Sequence, residues 1–483
     1  MKLENLDETI NTLFAPIAKA VSGVVFYAVP ITNDLEVKLI LIWLAVAAVA
    51  FTLYLGFINF RYFGHGVRLL FGKAMEKNDS GEINQFQALM ASLSGTVGLG
   101  NISGVAIAVS TGGPGAVFWM TVMGFLGMSS KFAEVMLGVK YRIYPDPEQP
   151  YKVSGGPMYF LKEGFARLGV PKIGVILAGL FAVFCVIGAI GGGNMYQSNQ
   201  AFEQMLVATG GDQSRLQGYG WAFGLVVAAL VALVIIGGLK SIASVASKLV
   251  PIMGGLYLLA GLIVIMLNLP ALPQAFGTII SSAFSIQAGF GALLGGLLIG
   301  VQRAAFSNEA GLGSASIVQS TTNTDGPVGT GMVAMLGPFI DTIIICNVTG
   351  LVIVLSGLYV GVDGVQGVAL TSLAFEHALP NFRYVLTLIV MLFAYSTVIS
   401  WYYCGAVCFR YLFGENDRVE TLFKIFFCLC IVIGASAQLD SLIEFADAAM
   451  LSMAIPNIIG LYLFAPEIKR DVRAYIERIK KAS

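Results

Sequence analysis

Long apolar segments constrain this chain more than any other feature of its sequence. Eleven of them are long enough to cross a hydrocarbon core of about 30 Å. The predicted spans run over about 35–57, 88–110, 114–139, 173–206, 219–238, 248–268, 289–316, 329–358, 383–412, 421–437 and 441–465. Because these runs are long and do not alternate, they predict an all-α polytopic membrane protein and not a transmembrane β-barrel.

Composition excludes several other classes of protein. Hydrophobic residues make up 57% of the 483 residues and charged residues only 12%, against about 25% charged in soluble domains. Lys and Arg (28) balance Asp and Glu (28), so no basic field attracts nucleic acid. The sequence contains no catalytic triad spacing and no metal-ligand spacing. We therefore expect no enzyme activity, no cofactor and no nucleic-acid partner.

The distribution of Lys and Arg predicts an orientation in the membrane. With the N-terminus outside, 21 of the 28 basic residues fall on the cytoplasmic side and 5 on the outer side. Residues 1–34 then form an extracytoplasmic segment with an interfacial helix, and residues 466–483 form a basic cytoplasmic tail. A single transporter domain is predicted over 35–465.

The odd number of spans predicts an internal repeat. One extra helix at 35–57 leaves five spans in 88–268 and five in 289–465. Because five is odd, the second set starts from the opposite face of the membrane. Such a 5+5 inverted repeat is the architecture of many secondary transporters.

Two similar motifs predict interrupted helices at about 94–101 and 306–314. Ser94–Asn101 and Ser307–Ser314 both read Ser-x-x-x-Gly-Leu-Gly-(Asn/Ser). Glycine disfavours continuous helix by about 1 kcal/mol relative to alanine, and unwound backbone is tolerated in a membrane only where it lines protein or a cavity. The alternative is that the small residues only allow close helix packing.

An interrupted helix presents free N–H groups and free carbonyls at one depth. The N–H groups suit a carboxylate, and the carbonyls together with hydroxyl groups suit Na⁺. Polar residues of the fourth and ninth spans are expected to face these breaks: Asn194, Gln197, Asn199, Ser396, Thr397, Ser400 and Trp401.

Charged residues inside spans are costly and are usually paired or functional. Lys131 and Glu134 lie three residues apart and are predicted to pair. Arg303 and Glu309 are too far apart to meet along a straight helix. Three further carboxylates without an obvious local partner are interpreted as gate or structural groups more readily than as proton relays: Asp341, Glu444 and Asp447.

Four motifs resemble those of the alanine or glycine:cation symporter family. They are SGTVGLGNISGVAI at 94–107, GGPGAVFWMT at 112–121, SGGPMYFL at 154–161 and RAAFSNEAGLGSAS at 303–316. The similarity extends over about 60–465. It implies a LeuT-like fold within the amino acid–polyamine–cation superfamily, in a prokaryotic plasma (inner) membrane.

The resemblance also implies a function and a set of site residues. It implies Na⁺-coupled symport of a small neutral amino acid, alanine or glycine, into the cell by alternating access. The implied substrate-binding residues are Thr96, Gly98, Asn194, Gln197, Phe306, Thr397 and Trp401. The implied Na⁺ ligands are Ser94, Val97, Thr397 and Ser400, and a second ion is placed near Asn101 and Ser307.

Other functions stay open at this point. H⁺ coupling, selectivity for glutamine or serine, and either substrate isomer are compatible with the same motifs. An ion channel is a more remote reading, since channels usually form a continuous polar pore. The expected partners are the amino acid, Na⁺ and membrane lipids, with no obligate protein partner.

Overall fold

The computed structural model describes residues 6–32, 35–72, 81–145, 152–285, 290–324, 326–360 and 366–482. In its first half the helices are α1 Leu6–Val25, α2 Leu39–Tyr54, α3 Ile58–Arg61, α4 Phe63–Leu70, α5 Gln85–Thr96, α6 Val105–Gly112, α7 Gly115–Lys140, α8 Pro157–Arg167, α9 Pro171–Ile190, α10 Tyr196–Thr209, α11 Gly220–Ile235 and α12 Gly238–Leu267. A hairpin of two antiparallel strands, β1 Ala28–Thr32 and β2 Leu35–Lys38, joins α1 to α2.

The second half is also helical. Its helices are α13 Leu272–Ala283, α14 Phe290–Asn308, α15 Ser314–Gln319, α16 Pro327–Ala334, α17 Leu336–Pro338, α18 Asn347–Ser356, α19 Gly367–Ala378, α20 Phe382–Phe413, α21 Asp417–Ser436, α22 Leu439–Ser452 and α23 Ala454–Ala482. Three π-helical segments lie at Gly100–Gly104, Gly191–Met195 and Phe339–Cys346. Short 3₁₀ turns lie at Gly211–Gln213 and Leu269–Ala271.

Every predicted span overlaps at least one helix. The span predicted at 35–57 begins in strand β2, and the span predicted at 329–358 contains α16, α17, a π-helical segment and α18. By length and composition, seven helical segments within the described residues can cross a membrane. An eighth is added if α5 and the segment Gly100–Gly112, bent by 51°, form one broken span. The apolar helices α2 and α11 are shorter, at 16 residues each. The count of eleven crossings therefore stays a prediction.

The structure adds helices that the apolar pattern did not predict. Helices α8, α13 and α19 lie between predicted spans. Helix α1 lies inside the predicted N-terminal segment, while residues 28–32 of that segment form a strand. Helix α23 runs through position 466 without a break, so the predicted tail continues the preceding helix.

Helix α7 occupies the interior of the bundle. The most apolar window of α7 is 83% buried, whereas the corresponding windows that include α12 and α21 are each 39% buried. The outer helices expose large apolar side chains such as Leu233 and Leu259, as expected of surfaces that face lipid. Because α7 is enclosed by protein, it can carry charged side chains at mid-span.

Candidate functional site

The first interrupted helix separates α5 from the π-helical segment Gly100–Gly104. Residues 97–99 between them are unwound. Gly98 is the point where this backbone approaches α10 and α20, because a Cβ atom added there would lie 2.4 Å from Thr397 Oγ1 and 3.1 Å from Gln197 Oε1. Only glycine allows so close an approach of backbone to neighbouring side chains.

Two side-chain amides satisfy the free N–H groups of this break. The Gly98 N–H donates to Asn101 Oδ1 at 2.9 Å, and the Leu99 N–H donates to Gln197 Oε1 at 2.9 Å. Gln197 Nε2 donates in turn to the Gly192 carbonyl at 2.9 Å. The acceptors are neutral amide oxygens, so a ligand carboxylate can compete for the same N–H groups with a stronger, charge-assisted bond.

Hydroxyl groups gather around the end of α5. Ser94 Oγ donates to the Ser396 carbonyl at 2.7 Å, and Thr96 Oγ1 donates to the Leu93 carbonyl at 3.3 Å. Thr397 Oγ1 and Ser400 Oγ are buried and have no hydrogen-bond partner among the described residues. A buried hydroxyl without a partner is destabilising by about 1–3 kcal/mol. These two oxygens therefore fit the ligand set of a hard cation such as Na⁺.

The second interrupted helix separates α14 from α15, with residues 309–313 between them. Its backbone is left-handed at Glu309 (φ 56°), Gly311 (φ 85°) and Gly313 (φ 88°). A residue other than glycine rarely adopts this conformation. The surroundings of Glu309 must therefore hold it there.

A buried ion pair on α7 holds the second break at both ends. Lys131 Nζ donates to the carbonyls of Asn308 (3.0 Å) and Glu309 (3.4 Å). Glu134 Oε2 accepts the N–H groups of Gly311 and Gly313, each at 3.0 Å. The two charged groups lie 3.6 Å apart, as their spacing predicted. Each charge satisfies the end of a helix dipole that favours it.

Asn457 on α23 completes this arrangement, and the sequence reasoning missed it. Its Nδ2 lies 2.8 Å from the Gly311 carbonyl and 3.2 Å from Glu134 Oε2. The Asn457 side chain is completely buried. An amide in an otherwise apolar run was the signal that could have pointed to it.

Trp401 contacts the second break through its indole. Trp401 Nε1 donates to Glu309 Oε1 at 3.1 Å, and Glu309 Oε2 accepts the Ser314 hydroxyl. The Trp401 side chain is fully buried. The indole is therefore fixed beside the proposed substrate position by a hydrogen bond to a carboxylate, a partner that the sequence did not indicate.

Asp341 joins the two breaks and was not among the predicted ligands. Asn101 Nδ2 donates to Asp341 Oδ1 at 2.6 Å and to Ser307 Oγ at 3.1 Å. Ser307 Oγ and Thr342 Oγ1 each donate to Asp341 Oδ2 at 2.7 Å. The cluster is fully buried and supplies one carboxylate, two hydroxyls and an amide, and it contains the residues of the predicted second ion site. The lone charge in an apolar span was the available signal.

Phe306 and Asn194 have different surroundings. The Phe306 ring packs edge-on against Tyr196, with ring centroids 5.1 Å apart, and lies under the Arg303 guanidinium at 5.3 Å. Asn194 Nδ2 donates to the Phe427 carbonyl of α21 at 2.7 Å. Asn194 is thus oriented towards α21, and no hydrogen bond among the described residues joins it to the first break.

Charged side chains that had no obvious partner nearby in the sequence pair with residues from distant parts of the chain. Arg303 forms a buried ion pair with Asp447 of α22, and Gln302 Nε2 donates to Asp447 Oδ2 at 2.6 Å. Arg303 therefore pairs with Asp447 and not with Glu309. The pair lies one turn from Phe306 along α14, on the side away from the break.

Two cavities lie along α20, which contributes Trp401 to one and Tyr403 to the other. The smaller, about 10 Å³, is lined by Gly95, Glu309 and Trp401 among others and has room for about one water molecule. The larger, about 470 Å³, is a polar vestibule that includes Glu82 and Arg410. Burial raises the pKa of Glu82, although the nearby Lys240, Lys152 and Arg410 act to lower it. The vestibule reaches Tyr403 of α20, next to Cys404, which lines the smaller cavity.

The fold and the site together define a class. Helices interrupted at one depth, with polar side chains converging on their free ends inside an apolar bundle, are the construction of a secondary transporter. The crystal structure of MhsT in complex with L-phenylalanine is similar to this chain, with a TM-score of 0.58 and 16% identity, over 80% of this chain and 89% of that chain. This likeness shows a LeuT-like fold.

Sequence comparisons identify the family. The family model described as the sodium:alanine symporter family matches residues 24–483, so the chain belongs to that family. The sodium/alanine symporter AgcS of Methanococcus maripaludis is 41% identical, over 90% of this chain and 94% of that protein. An uncharacterized transporter of Haemophilus influenzae is 37% identical, over 91% of this chain and 94% of that protein. The chain is thus an integral membrane protein of a family of amino-acid symporters and not of enzymes.

Proposed function

We propose that this protein is a Na⁺-coupled symporter that carries a small neutral amino acid, alanine or glycine, into the cell by alternating access. The observation that carries the proposal is a pair of buried hydroxyls beside the first break, Thr397 Oγ1 and Ser400 Oγ, which have no hydrogen-bond partner within the described part of the chain. Membership of the sodium:alanine symporter family supports the same ion and substrate class.

The substrate carboxylate binds the N–H groups of the first break. It displaces the amide oxygens of Asn101 and Gln197 from Gly98 and Leu99, and these amides are then free to contact the ligand. The side chain of the substrate lies between Phe306 and Trp401, both of which are buried. Two aromatic rings at this depth favour a small substrate.

The coupling ion binds at the end of α5. Its ligands are the hydroxyls of Ser94, Thr397 and Ser400 and backbone oxygen at Val97. A second ion binds in the cluster of Asn101, Ser307 and Asp341, where a buried carboxylate offsets its charge. No resident cofactor takes part in this proposal.

The chain crosses a prokaryotic plasma membrane eleven times, with one extra helix and two inverted sets of five. Its N-terminus lies outside and its C-terminus inside. The Arg303–Asp447 pair then closes the outer side, and the polar vestibule opens to the cytoplasm. One charge moved through 100 mV is worth about 2.3 kcal/mol, which supports a roughly 40-fold substrate gradient.

A second candidate is coupling to H⁺. The observation that favours it is that Glu134, Glu309 and Asp341 are buried carboxylates at the breaks. A carboxylate that releases and takes up a proton in each cycle would replace the ion. Selectivity for glutamine or serine is the corresponding alternative for the substrate.

Uptake into proteoliposomes separates these possibilities. Labelled alanine is supplied with an inward gradient of Na⁺, K⁺ or H⁺, and glycine, serine, glutamine and D-alanine are added as competitors. We expect uptake under the Na⁺ gradient alone, and loss of that uptake in Thr397→Val. The matched control is Thr278→Val, a partly exposed threonine of α13. Uptake driven by H⁺ without Na⁺ would overturn the proposed coupling.

A further inference from the structure

An apolar groove lies on the lateral surface of the helix bundle, away from both breaks. It has a volume of about 690 Å³ and runs between α2 and α23, with Leu53, Tyr54 and Ala465 in its lining. Phe51 and Tyr462 stack beneath it with ring centroids 5.6 Å apart. The volume falls within the roughly 300–1,000 Å³ typical of small-molecule sites.

A basic cavity adjoins one end of the groove. It has a volume of about 380 Å³ and shares Tyr54, Pro466 and Lys469 with the groove. Arg470 and Arg473 also line it. The lining includes one carboxylate, that of Glu477, among the described residues. Three cationic side chains therefore surround the end of an apolar channel.

The charges of α23 are divided between two faces. Glu467 and Asp471 turn inwards and pair with Lys140 of α7. On the other face of α23, which borders the groove, Lys469 Nζ lies 4.1 Å from the centre of the Tyr54 ring. Arg470 Nε lies 3.3 Å from Asp471 Oδ1 but is 72% exposed, so solvent weakens this contact. The cations along the groove thus keep a net positive field.

We propose that this groove binds one anionic phospholipid, with its phosphate at Lys469, Arg470 and Arg473 and an acyl chain along Leu53 and Ala465. A membrane supplies such a ligand at this surface in large excess. The apolar surface of the groove binds the acyl chain. Each basic side chain near the membrane surface adds to the binding free energy of an anionic headgroup. The bound lipid joins α2 to α23 and so anchors α2, which lies before the first interrupted helix in the chain.

Native mass spectrometry of the detergent-purified protein tests the proposal. Phosphatidylglycerol and phosphatidylcholine with the same acyl chains are titrated separately. We expect one molecule of phosphatidylglycerol to bind in preference to phosphatidylcholine. In the triple variant K469Q/R470Q/R473Q its affinity should fall about 100-fold, on the basis of about fivefold for each cation.

The matched control is K162Q/K172Q/R418Q, which removes the same charge from exposed residues away from the groove. It should keep the wild-type preference. A second variant, Ala465→Trp, fills the apolar part and should weaken phosphatidylglycerol without removing any charge. Because mass is read directly, failure of this proposal is distinct from failure of the transport proposal.

Four results would overturn the lipid site. Equal binding of the two lipids would make the groove an unselective surface. Unchanged binding in both K469Q/R470Q/R473Q and Ala465→Trp would place the lipid elsewhere. A dimer mass that Ala465→Trp abolishes would make a second copy of this chain the occupant. Binding of glycerol phosphate as tight as that of the intact lipid would exclude a role for the acyl chain.

Discussion

The two interrupted helices are held open by different chemistry. In the first break the free N–H groups of Gly98 and Leu99 meet neutral amide oxygens. In the second break the free carbonyls and N–H groups meet the charged side chains of Lys131 and Glu134. Two similar sequence motifs are thus stabilised by different kinds of side chain.

The difference assigns the breaks different tasks. A neutral hydrogen bond contributes about 0.5–1.5 kcal/mol net, so a ligand can exchange with the amides of the first break. Removing one partner of a buried ion pair costs about 3–5 kcal/mol. The second break is therefore a fixed frame, and the first is the part that a substrate can rearrange.

Lys131→Met should have the largest effect on stability. It leaves the Glu134 carboxylate buried without its partner and frees the carbonyl of Asn308. We expect the free energy of unfolding to fall by about 3–5 kcal/mol, measured as Tm and denaturation midpoint in detergent. Arg167→Met, which breaks an exposed pair with Glu163, is the control and should change it by less than about 1 kcal/mol.

The double variant K131M/E134Q sharpens the comparison. It removes both charges, so it should be more stable than Lys131→Met alone, and the coupling between the two positions becomes measurable. If Lys131→Met were no more destabilising than Arg167→Met, the second break would not depend on the ion pair.

Gly98→Ala should strongly reduce transport while leaving the fold intact. The added Cβ would meet Thr397 Oγ1 at 2.4 Å, and overpacking of this kind costs about 1–3 kcal/mol. We expect at least a roughly tenfold loss of alanine uptake at unchanged expression. Gly254→Ala in α12 is the control, because an added Cβ there meets no heavy atom of the described residues within 4 Å. Equal uptake by the two variants would contradict the proposed site.

Asp341→Asn tests whether the cluster between the breaks binds an ion. The substitution keeps the shape but removes the negative charge, so the apparent affinity for Na⁺ should fall by about tenfold or more. Asp440→Asn, an exposed carboxylate of α22, should not change it. Uptake is measured against Na⁺ concentration at saturating alanine. An unchanged Na⁺ dependence in Asp341→Asn would remove this cluster from the coupling mechanism.

The sequence predicted local features better than distant pairings. The glycine motifs placed breaks at 94–101 and 306–314, and the structure unwinds residues 97–99 and 309–313 inside them. The spacing of Lys131 and Glu134 also predicted their pair. Periodicity carries no information on which helices meet, so the partner of Arg303, which lies on α22, could not be read from the chain.

The same limit explains which contacts within the site the sequence did not indicate. Asn194 lies only three residues before Gln197, yet the backbone turns their amides towards different neighbours. Asn457 and Asp341 were isolated polar residues in apolar runs. Their roles depend on breaks that are far away in sequence, so only the folded chain reveals them.

Trp401 lies where the two breaks meet the proposed substrate, and its substitutions should have the smallest effects. Trp401→Ala enlarges the space beside Phe306, so alanine uptake should weaken relative to a bulkier neutral amino acid. Trp401→Phe keeps an aromatic wall but removes the hydrogen bond to Glu309, and should shift selectivity less. Competition for labelled alanine by glycine and glutamine measures both variants. Selectivity unchanged in Trp401→Ala would show that this ring does not bound the pocket, and that the second break limits substrate size through other residues.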